Sequence, residues 1–577
     1  MQRLPVALVT LLLAVPALAQ SDAPERASGW TDKAPVASKR FMIAAAHPLA
    51  VDAGYAMLRQ GGSAVDAAIA VQLVLGLVEP QSSGLGGGAF MLVHDAKRNR
   101  LVAYDGRETA PAAAKPDRFL DGDGRPLRFH DAVIGGRSVG VPGTVALLAE
   151  THKRHGRLPW EELFLPAIEL AESGFPVSPR LHALVAAEQH LDQPRARAFF
   201  FDALGHPRAI GSLVRNPAYA ATLRKIATGG AKAFYEGDVA RDIVATVNAH
   251  ATNPGDVTLA DLAGYRVKVR EPVCGAYRAY RVCGMPLPSS GGLTVLQMLG
   301  ILEPYDVAAM GPVSLWSVHF ISEAGRLAFA DRSVYMADPD FFTPPAGLLD
   351  RGYLAERSQL IRVDASMGRA APGTPPDRPA RRVAYGEDVA LEFPSTSHLS
   401  IVDADGNAVA MTTTIEDGFG SRLMTEGGFL LNNQLTDFSF APTENGKPVA
   451  NRVEPGKRPR SSMAPTIVYD RAGRVHMIAG SPGASAIINF VAKTLVAVLD
   501  WGLDPQAAIA LPNFGSRNGP TELEAGTSAA ALAPKLEALG HRTRVVEQPS
   551  GVHAIVRTRT GWIGGADPRR EGTVRGD

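Results

Sequence analysis

Residues 366–382 are rich in Pro, Arg, Gly and Ala and hold nothing that builds a core. The linker they open, 366–395, runs into a Ser-Thr step, Ser395-Thr396, where an alternating pattern begins: Thr396-Ser397-His398-Leu399-Ser400-Ile401-Val402. The pattern predicts strands at 397–403 and 407–415 around a turn at Asp403-Ala404-Asp405-Gly406. Asp first and Gly fourth suit a type I turn closed by a left-handed glycine, the three-residue hairpin loop. Counting outward from an Asp403–Asn407 pair places Thr396 opposite Thr414 on one face, so that two hydroxyls meet. Such pairs also decorate ordinary sheets. A flexible linker ending at a Ser-Thr step points further, to a chain that cuts itself there. Cutting frees the α-amino group of Thr396, and an α-amine of pKa near ~8 can take the proton of the same residue's hydroxyl.

The elements that must hold this pair are mixed. Residues 42–80 read as helical and rich in small residues, with Ser63 and Asp66 spaced as a capping box. Strands are expected at 89–94 and 101–105, helices and polar loops over 143–260, strands over 265–287 and helices over 291–335. Further strands fall at 427–431 and 465–469, and helices near 485–500 and 530–539. Many hairpins are short, which favours antiparallel sheets covered by helices over a βαβ chain. Between Cys274 and Cys283, a two-residue Arg278-Ala279 loop puts the cysteines opposite each other at a non-hydrogen-bonded position. A cross-strand disulfide is feasible there in an oxidising compartment, and two buried thiols are the alternative.

The N-terminus bears on that choice. Arg3, an apolar run over 4–15 and Ala17-Leu18-Ala19 form the three parts of a secretory signal, expected at 1–19 and removed on export. The apolar run is short of the ~20 residues that span a bilayer. The mature protein is therefore expected in the periplasm or outside the cell, with no membrane span. The 577 residues carry a net charge of +1, which argues against capture of nucleic acid. Two cysteines, and 14 histidines without an H-x-x-x-H pair, argue against a metal centre, and no cofactor is expected. Gly84-Leu85-Gly86-Gly87-Gly88-Ala89, with Asp105 beyond it, imitates a dinucleotide fingerprint. It follows a helix and precedes a strand, the reverse of what that fingerprint requires. The acidic turn 121–124 lacks the later glutamate of a calcium loop.

Several further motifs share one pattern with the Ser395-Thr396 junction. They are Phe419-Gly420-Ser421, the run 431–439, Lys457-Arg458-Pro459-Arg460-Ser461-Ser462 with 463–466, Gly480-Ser481-Pro482-Gly483 and Asp567-Pro568-Arg569. The first half adds 82–88, 107–111, 141–144 and 288–292. In order and over nearly the whole mature chain, these resemble the γ-glutamyltransferases (glutathione hydrolases) of the N-terminal nucleophile superfamily. The resemblance implies an α+β fold, a four-layer αββα sandwich made jointly by two products of self-cleavage. These are a large subunit, 20–395, and a small catalytic one, 396–577, held together as a heterodimer. It implies transfer of a γ-glutamyl group from glutathione or related amides to water, an amino acid or a peptide.

Carried over residue by residue, the resemblance makes Thr396 the nucleophile and Thr414 its orienting hydroxyl. Gly483 and Ala484 supply the N–H groups of an oxyanion hole. Arg107 holds the donor α-carboxylate with Ser461 and Ser462. Gln434 and Asp437 accept the α-ammonium. Without the resemblance, Arg107 reads as an ion-pair partner of Glu108 or Asp105, Ser461-Ser462 as a turn and Asp437 as a cap. Three features depart from the family. Glu416 stands where Asn is usual beside the α-amino group. Ala484 replaces the second glycine of a pair. Residues 440–460 are short and have no Trp or Tyr after Phe440, so an aromatic gate is expected to be missing. A related acylase, cleaving glutaryl amides of cephalosporins, shares Thr396 and differs in needing no ammonium site. A secreted binding protein that keeps the fold without activity is the reading outside catalysis.

Overall fold

The computed structural model describes residues 29–376, 384–390, 392–393 and 395–577. The expected signal, 1–19, and part of the expected linker, 377–383, lie outside these.

Side chains alternate across a strand, so a strand buried at every position must be covered on both faces. Thr396–Val402 and Ala408–Thr414 are buried throughout. They pair antiparallel with Thr396 opposite Thr414, the register the turn chemistry implies. The turn is built as expected: Gly406 takes φ +85°, and the Asp403 carboxylate accepts the N–H groups of Asp405 and Asn407. Around this hairpin lies a seven-stranded antiparallel sheet. Its order is Thr573–Gly576, Met42–Ala45, Thr396–Val402, Ala408–Thr414, Gly88–Asp95, Arg100–Gly106 and Lys268–Arg270.

Leu399, Ile401, Val409 and Met411 point to one side, into a core with the helices Pro48–Arg59 and Ala64–Val78. Ser63 and Asp66 cap the second helix reciprocally, as their spacing predicts. Val402, Ala408 and Ala410 point to the other side and join a second core. There the sheet packs on another antiparallel sheet of seven strands. Its order is Val36–Ser38, Trp562–Ala566, His553–Arg557, Val475–Gly480, Thr466–Tyr469, Tyr280–Gly284 and Val273–Tyr277. The helices Gly291–Leu302, Ile487–Leu499 and Pro505–Ala510 cover its outer face, and Leu315–Tyr335 packs on the first of these. The layers are helix, sheet, sheet, helix, the expected sandwich. Cys274 and Cys283 face each other across the last hairpin and are joined as a disulfide.

Three expectations are corrected. Residues 42–45 are a strand, not the start of a helix. Four apolar residues have no period that tells the two apart, and two long-range partners decide. Residues 427–431 are a tight loop, with Gly428 left-handed and Thr425 N–H bonded to the Phe429 carbonyl at 3.0 Å. The described part of the 366–382 stretch is docked on the body. Met367 N–H and Gly373 N–H reach the carboxylates of Glu323 and Asp331, both at 2.8 Å. Backbone amides serve buried helix carboxylates here, a use that composition does not display.

Candidate active site

The hairpin register brings the two hydroxyls together. Thr396 Oγ1 donates to Thr414 Oγ1 at 3.2 Å, and Thr414 Oγ1 donates to the carbonyl of Ser395 at 2.5 Å. The neighbours of Thr396 face the other way and are tied down. Ser395 Oγ donates to the Gln81 carbonyl at 2.6 Å, and Ser397 Oγ to Glu79 Oε2 at 2.9 Å. Both partners follow the C-terminus of the helix Ala64–Val78. One step along the Thr396 face, His398 bonds Thr412 Oγ1 at 2.8 Å and Ser400 Oγ at 3.0 Å. Burial holds its imidazole well below its ordinary pKa, so it is neutral and structural. Gly480 of the second sheet passes against this ring: a Cβ there would lie 2.3 Å from it.

Thr396 and Thr414 open on a cavity of about 20 Å³. Its wall also holds Arg107, Glu416, Gln434, Asp437, Ser461, Ser462 and Ala484. Six stretches far apart in sequence therefore converge as the motifs suggest. Arg107 follows the strand Arg100–Gly106, and its guanidinium pairs with Asp437. It also donates to the carbonyls of Pro459 at 3.2 Å and Arg460 at 2.9 Å. The partner is neither Glu108 nor Asp105 through the side chain; Asp105 takes only the Arg107 backbone N–H. Asp437 ends the turn Gln434–Asp437 and accepts from Gln434 Nε2 at 2.7 Å. Burial raises its carboxyl to about 6, against the pull of Arg107.

Glu416 sits in the left-handed region at φ +80° and bonds the side chain of Asn433. Burial, reinforced by the charges of Asp437 and Asp417, pushes its carboxyl well above the ordinary range. Gly483 has φ +133°, and Ala484 φ +50°. They precede the helix Ile487–Leu499, whose first residue also lines the cavity. A helix N-terminus directed at a reacting centre favours negative charge there. Ala484, a non-glycine residue in the left-handed region, stores strain of about 1–2 kcal/mol at this corner. Gly483 lies one residue outside the lining, and Ser395 enters through its carbonyl.

The sequence reading missed four lining residues: Glu392, Phe393, Met463 and Ile487. The first two precede the Ser395-Thr396 step by four and three residues and belong to no motif. Aromatic rings pack at the start of the 440–460 loop, and of these only Phe393 lines the cavity. Phe440 stacks on Phe119 with ring centres 4.7 Å apart, and Phe129 packs on Phe393 at 4.1 Å. The partners come from the first half of the chain, so scanning 440–460 alone does not find them. Among the described residues, His319, Glu323 and His541 form a cluster able to hold a metal. Its atoms are already used: His319 bonds His541 at 2.7 Å, His541 bonds Thr521, and Glu323 takes Arg326 and Ser366. Among the described residues no helix is long and apolar enough to cross a membrane.

The family model described as Gamma-glutamyltranspeptidase matches residues 50–576. The chain is 36% identical over 514 residues to a glutathione hydrolase proenzyme of Bacillus subtilis (strain 168), covering 87% of this chain and 85% of that one. It is 35% identical over 556 residues to the Acylase ACY 1 proenzyme of Pseudomonas sp. (strain V22), covering 94% of each. Among solved structures, a cephalosporin acylase from Bacillus halodurans superposes with a TM-score of 0.82 at 29% identity, over 95% of this chain and 97% of that one. With a match that covers most of the chain, the chain belongs to the γ-glutamyltranspeptidase family.

Proposed function

We propose that this protein is a self-cleaving γ-glutamyltransferase and glutathione hydrolase whose nucleophile is Thr396. One observation carries the reading: the Thr396–Thr414 pair and the Arg107–Asp437 charge pair share one cavity. The two charges of the pair neutralise each other. A γ-glutamyl end brings one carboxylate and one ammonium, and so exchanges with the pair charge for charge. Asp437, Gln434 and Glu416 then surround the ammonium with oxygen acceptors.

Maturation comes first. The Thr396 hydroxyl oxygen attacks the Ser395 carbonyl carbon, which the Thr414 hydroxyl already polarises. The C–N bond breaks, an ester forms, and the Thr396 nitrogen leaves as an amine carrying the hydroxyl's proton. Water then hydrolyses the ester to a Ser395 carboxylate and a free Thr396 hydroxyl. The products, 20–395 and 396–577, remain joined because each sheet contains strands from both. In turnover the Thr396 amine takes the hydroxyl proton, the oxygen attacks the γ-carbonyl, and the departing amine receives that proton. The γ-glutamyl ester is released to water or to an acceptor amine. The backbone N–H groups of Gly483 and Ala484 stabilise the oxyanion, each worth about 3 kcal/mol. Export to the periplasm or beyond, with the signal at 1–19 removed, completes the reading and agrees with the disulfide.

The similarity to a cephalosporin acylase supports a second reading, hydrolysis of glutaryl amides. A glutaryl end has no ammonium, so it would take Arg107 from Asp437 and leave that carboxylate uncompensated. This favours the γ-glutamyl donor. The test compares hydrolysis of γ-glutamyl- and glutaryl-p-nitroanilide by the processed enzyme, with Thr396→Ala as control. The variant is expected to stay as one uncut, inactive chain. A fully processed variant, or equal turnover of the two donors, would overturn the assignment.

A further inference from the structure

The two sides of the Ser395-Thr396 bond are held differently. Thr396 begins a strand that is paired along its whole length with Ala408–Thr414. On the other side, the described residues 384–390, 392 and 393 form no strand. Ser395 itself has two anchors: its Oγ donates to the Gln81 carbonyl, and its carbonyl accepts from Thr414 Oγ1. Attack by Thr396 Oγ1 needs the Ser395 carbonyl carbon fixed in distance and angle, and a misplacement of about 1 Å can cost about 10²-fold in rate. Further anchors upstream therefore bear on the reaction.

Two acidic side chains supply them. Asp388 is buried, and the Glu392 side chain is only 8% exposed. Glu392 pairs with the Arg332 guanidinium, accepts from Ser462 Oγ at 2.5 Å and lies 3.6 Å from Arg460 Nη2. Asp388 lies 2.9 Å from Arg460 Nη2 and accepts from Asn451 Nδ2 at 2.8 Å, while its backbone N–H donates to the Ser333 carbonyl at 2.9 Å. The arginines are themselves fixed. Arg332 donates to Ser290 Oγ at 2.8 Å and to Ser462 Oγ at 2.7 Å, and Arg460 donates to the Arg332 carbonyl at 3.3 Å. Burial opposes ionisation of Glu392, but the two guanidiniums outweigh it and hold its carboxyl well below the usual range. Desolvation cancels most of the net stability that a buried ion pair could add, yet losing one partner is strongly unfavourable. Such a pair fixes position more than it stabilises the fold.

We infer that Arg332 and Arg460 are positioning residues for self-cleavage: they grip Glu392 and Asp388 and so hold the Ser395 carbonyl carbon before the Thr396 hydroxyl. The inference rests on the proposed self-cleavage and adds to it the residues that set its rate. In the step itself the Thr396 oxygen bonds the Ser395 carbonyl carbon, the C–N bond between the two residues breaks, and the hydroxyl proton leaves on the Thr396 nitrogen. None of the four charged groups joins that exchange; their grip acts before it, on distance and angle. Arg332 comes from the helix Leu315–Tyr335 and Arg460 from the chain beyond the cut, so both future products hold the bond between them.

The test follows freshly synthesised full-length chain on denaturing gels and times the appearance of two bands. Glu392→Leu and Arg332→Met should each slow self-cleavage about tenfold or more, the factor that one charge-assisted hydrogen bond is worth. Asp388→Asn, on the other arginine, should slow it by a similar factor. The double variant Glu392→Leu, Arg332→Met should be no slower than the slower single, because the second change finds the grip already released. It also leaves neither partner of that pair buried alone, so in the uncut Thr396→Ala chain it should unfold in urea near the parent midpoint. This double variant carries the test should a single variant fail to fold. Cleavage of the double at the wild-type rate would overturn the inference. So would single losses that multiply in the double, or loss of its folded state, since the pair would then serve the fold. A wild-type chain that never cuts is a different result and refutes self-cleavage itself.

Discussion

Replacing Asp437 with Asn isolates the charge that separates a γ-glutamyl donor from a glutaryl one. Asn keeps the size, and its carbonyl can still accept from Gln434 Nε2, now 2.7 Å from the carboxylate, and from Arg107. What disappears is the negative charge facing the substrate ammonium. A hydrogen bond to a charged group contributes about 1.5–3 kcal/mol, so kcat/KM for γ-glutamyl-p-nitroanilide should fall about 10- to 150-fold. The glutaryl donor has no ammonium and loses none of this. Arg107 also loses its counter-ion, so a donor carboxylate is held at least as well as before. The ratio of the two kcat/KM values, measured by p-nitroaniline release, should therefore fall by one to two orders of magnitude. Equal losses on both donors would show that Asp437 acts through the fold, or through Arg107, and not on the ammonium.

The same carboxyl, raised to about 6 by burial, must be ionised to bind the ammonium. Activity on γ-glutamyl donors should then decline as pH falls through about 6, and a kcat/KM profile should lose that acid limb in Asp437→Asn. Thr414→Val removes the hydrogen bond onto the Ser395 carbonyl. By analogy with the loss of one oxyanion donor, self-cleavage should slow by about 10²- to 10³-fold, read from the appearance of two bands on denaturing gels. Gly480→Ala drives a methyl to within 2.3 Å of the His398 ring. It should cost about 1–3 kcal/mol of stability, measured by urea unfolding of the uncut Thr396→Ala chain.

Local sequence determined whatever depends on near neighbours. The Asp403–Gly406 turn chemistry favours one hairpin closure, and residues paired across a hairpin share a face whether one face or both are buried. Together these set Thr396 opposite Thr414 without any knowledge of the fold. Counting from the Arg278-Ala279 loop likewise paired Cys274 with Cys283, and oxidation became clear once the geometry was in hand. Ser63 and Asp66 set a helix start by the same local logic. The motifs around Arg107, Gln434, Asp437 and Ser461-Ser462 marked the walls of the site through resemblance, because none of them has a local periodicity.

Tertiary structure decided the rest, since it turned on partners hundreds of residues away. Met42–Ala45 became a strand because Thr573–Gly576 and Thr396–Val402 lie on either side of it. Phe440 found its stacking partners across the chain in Phe119 and Phe129. Arg107 could have paired with either adjacent carboxylate in sequence, and it paired with Asp437, 330 residues on. Glu392 and Arg332 carry no motif at all. A charged side chain inside the protein must find an opposite charge or be expelled, and only the packed chain shows which partner is within reach.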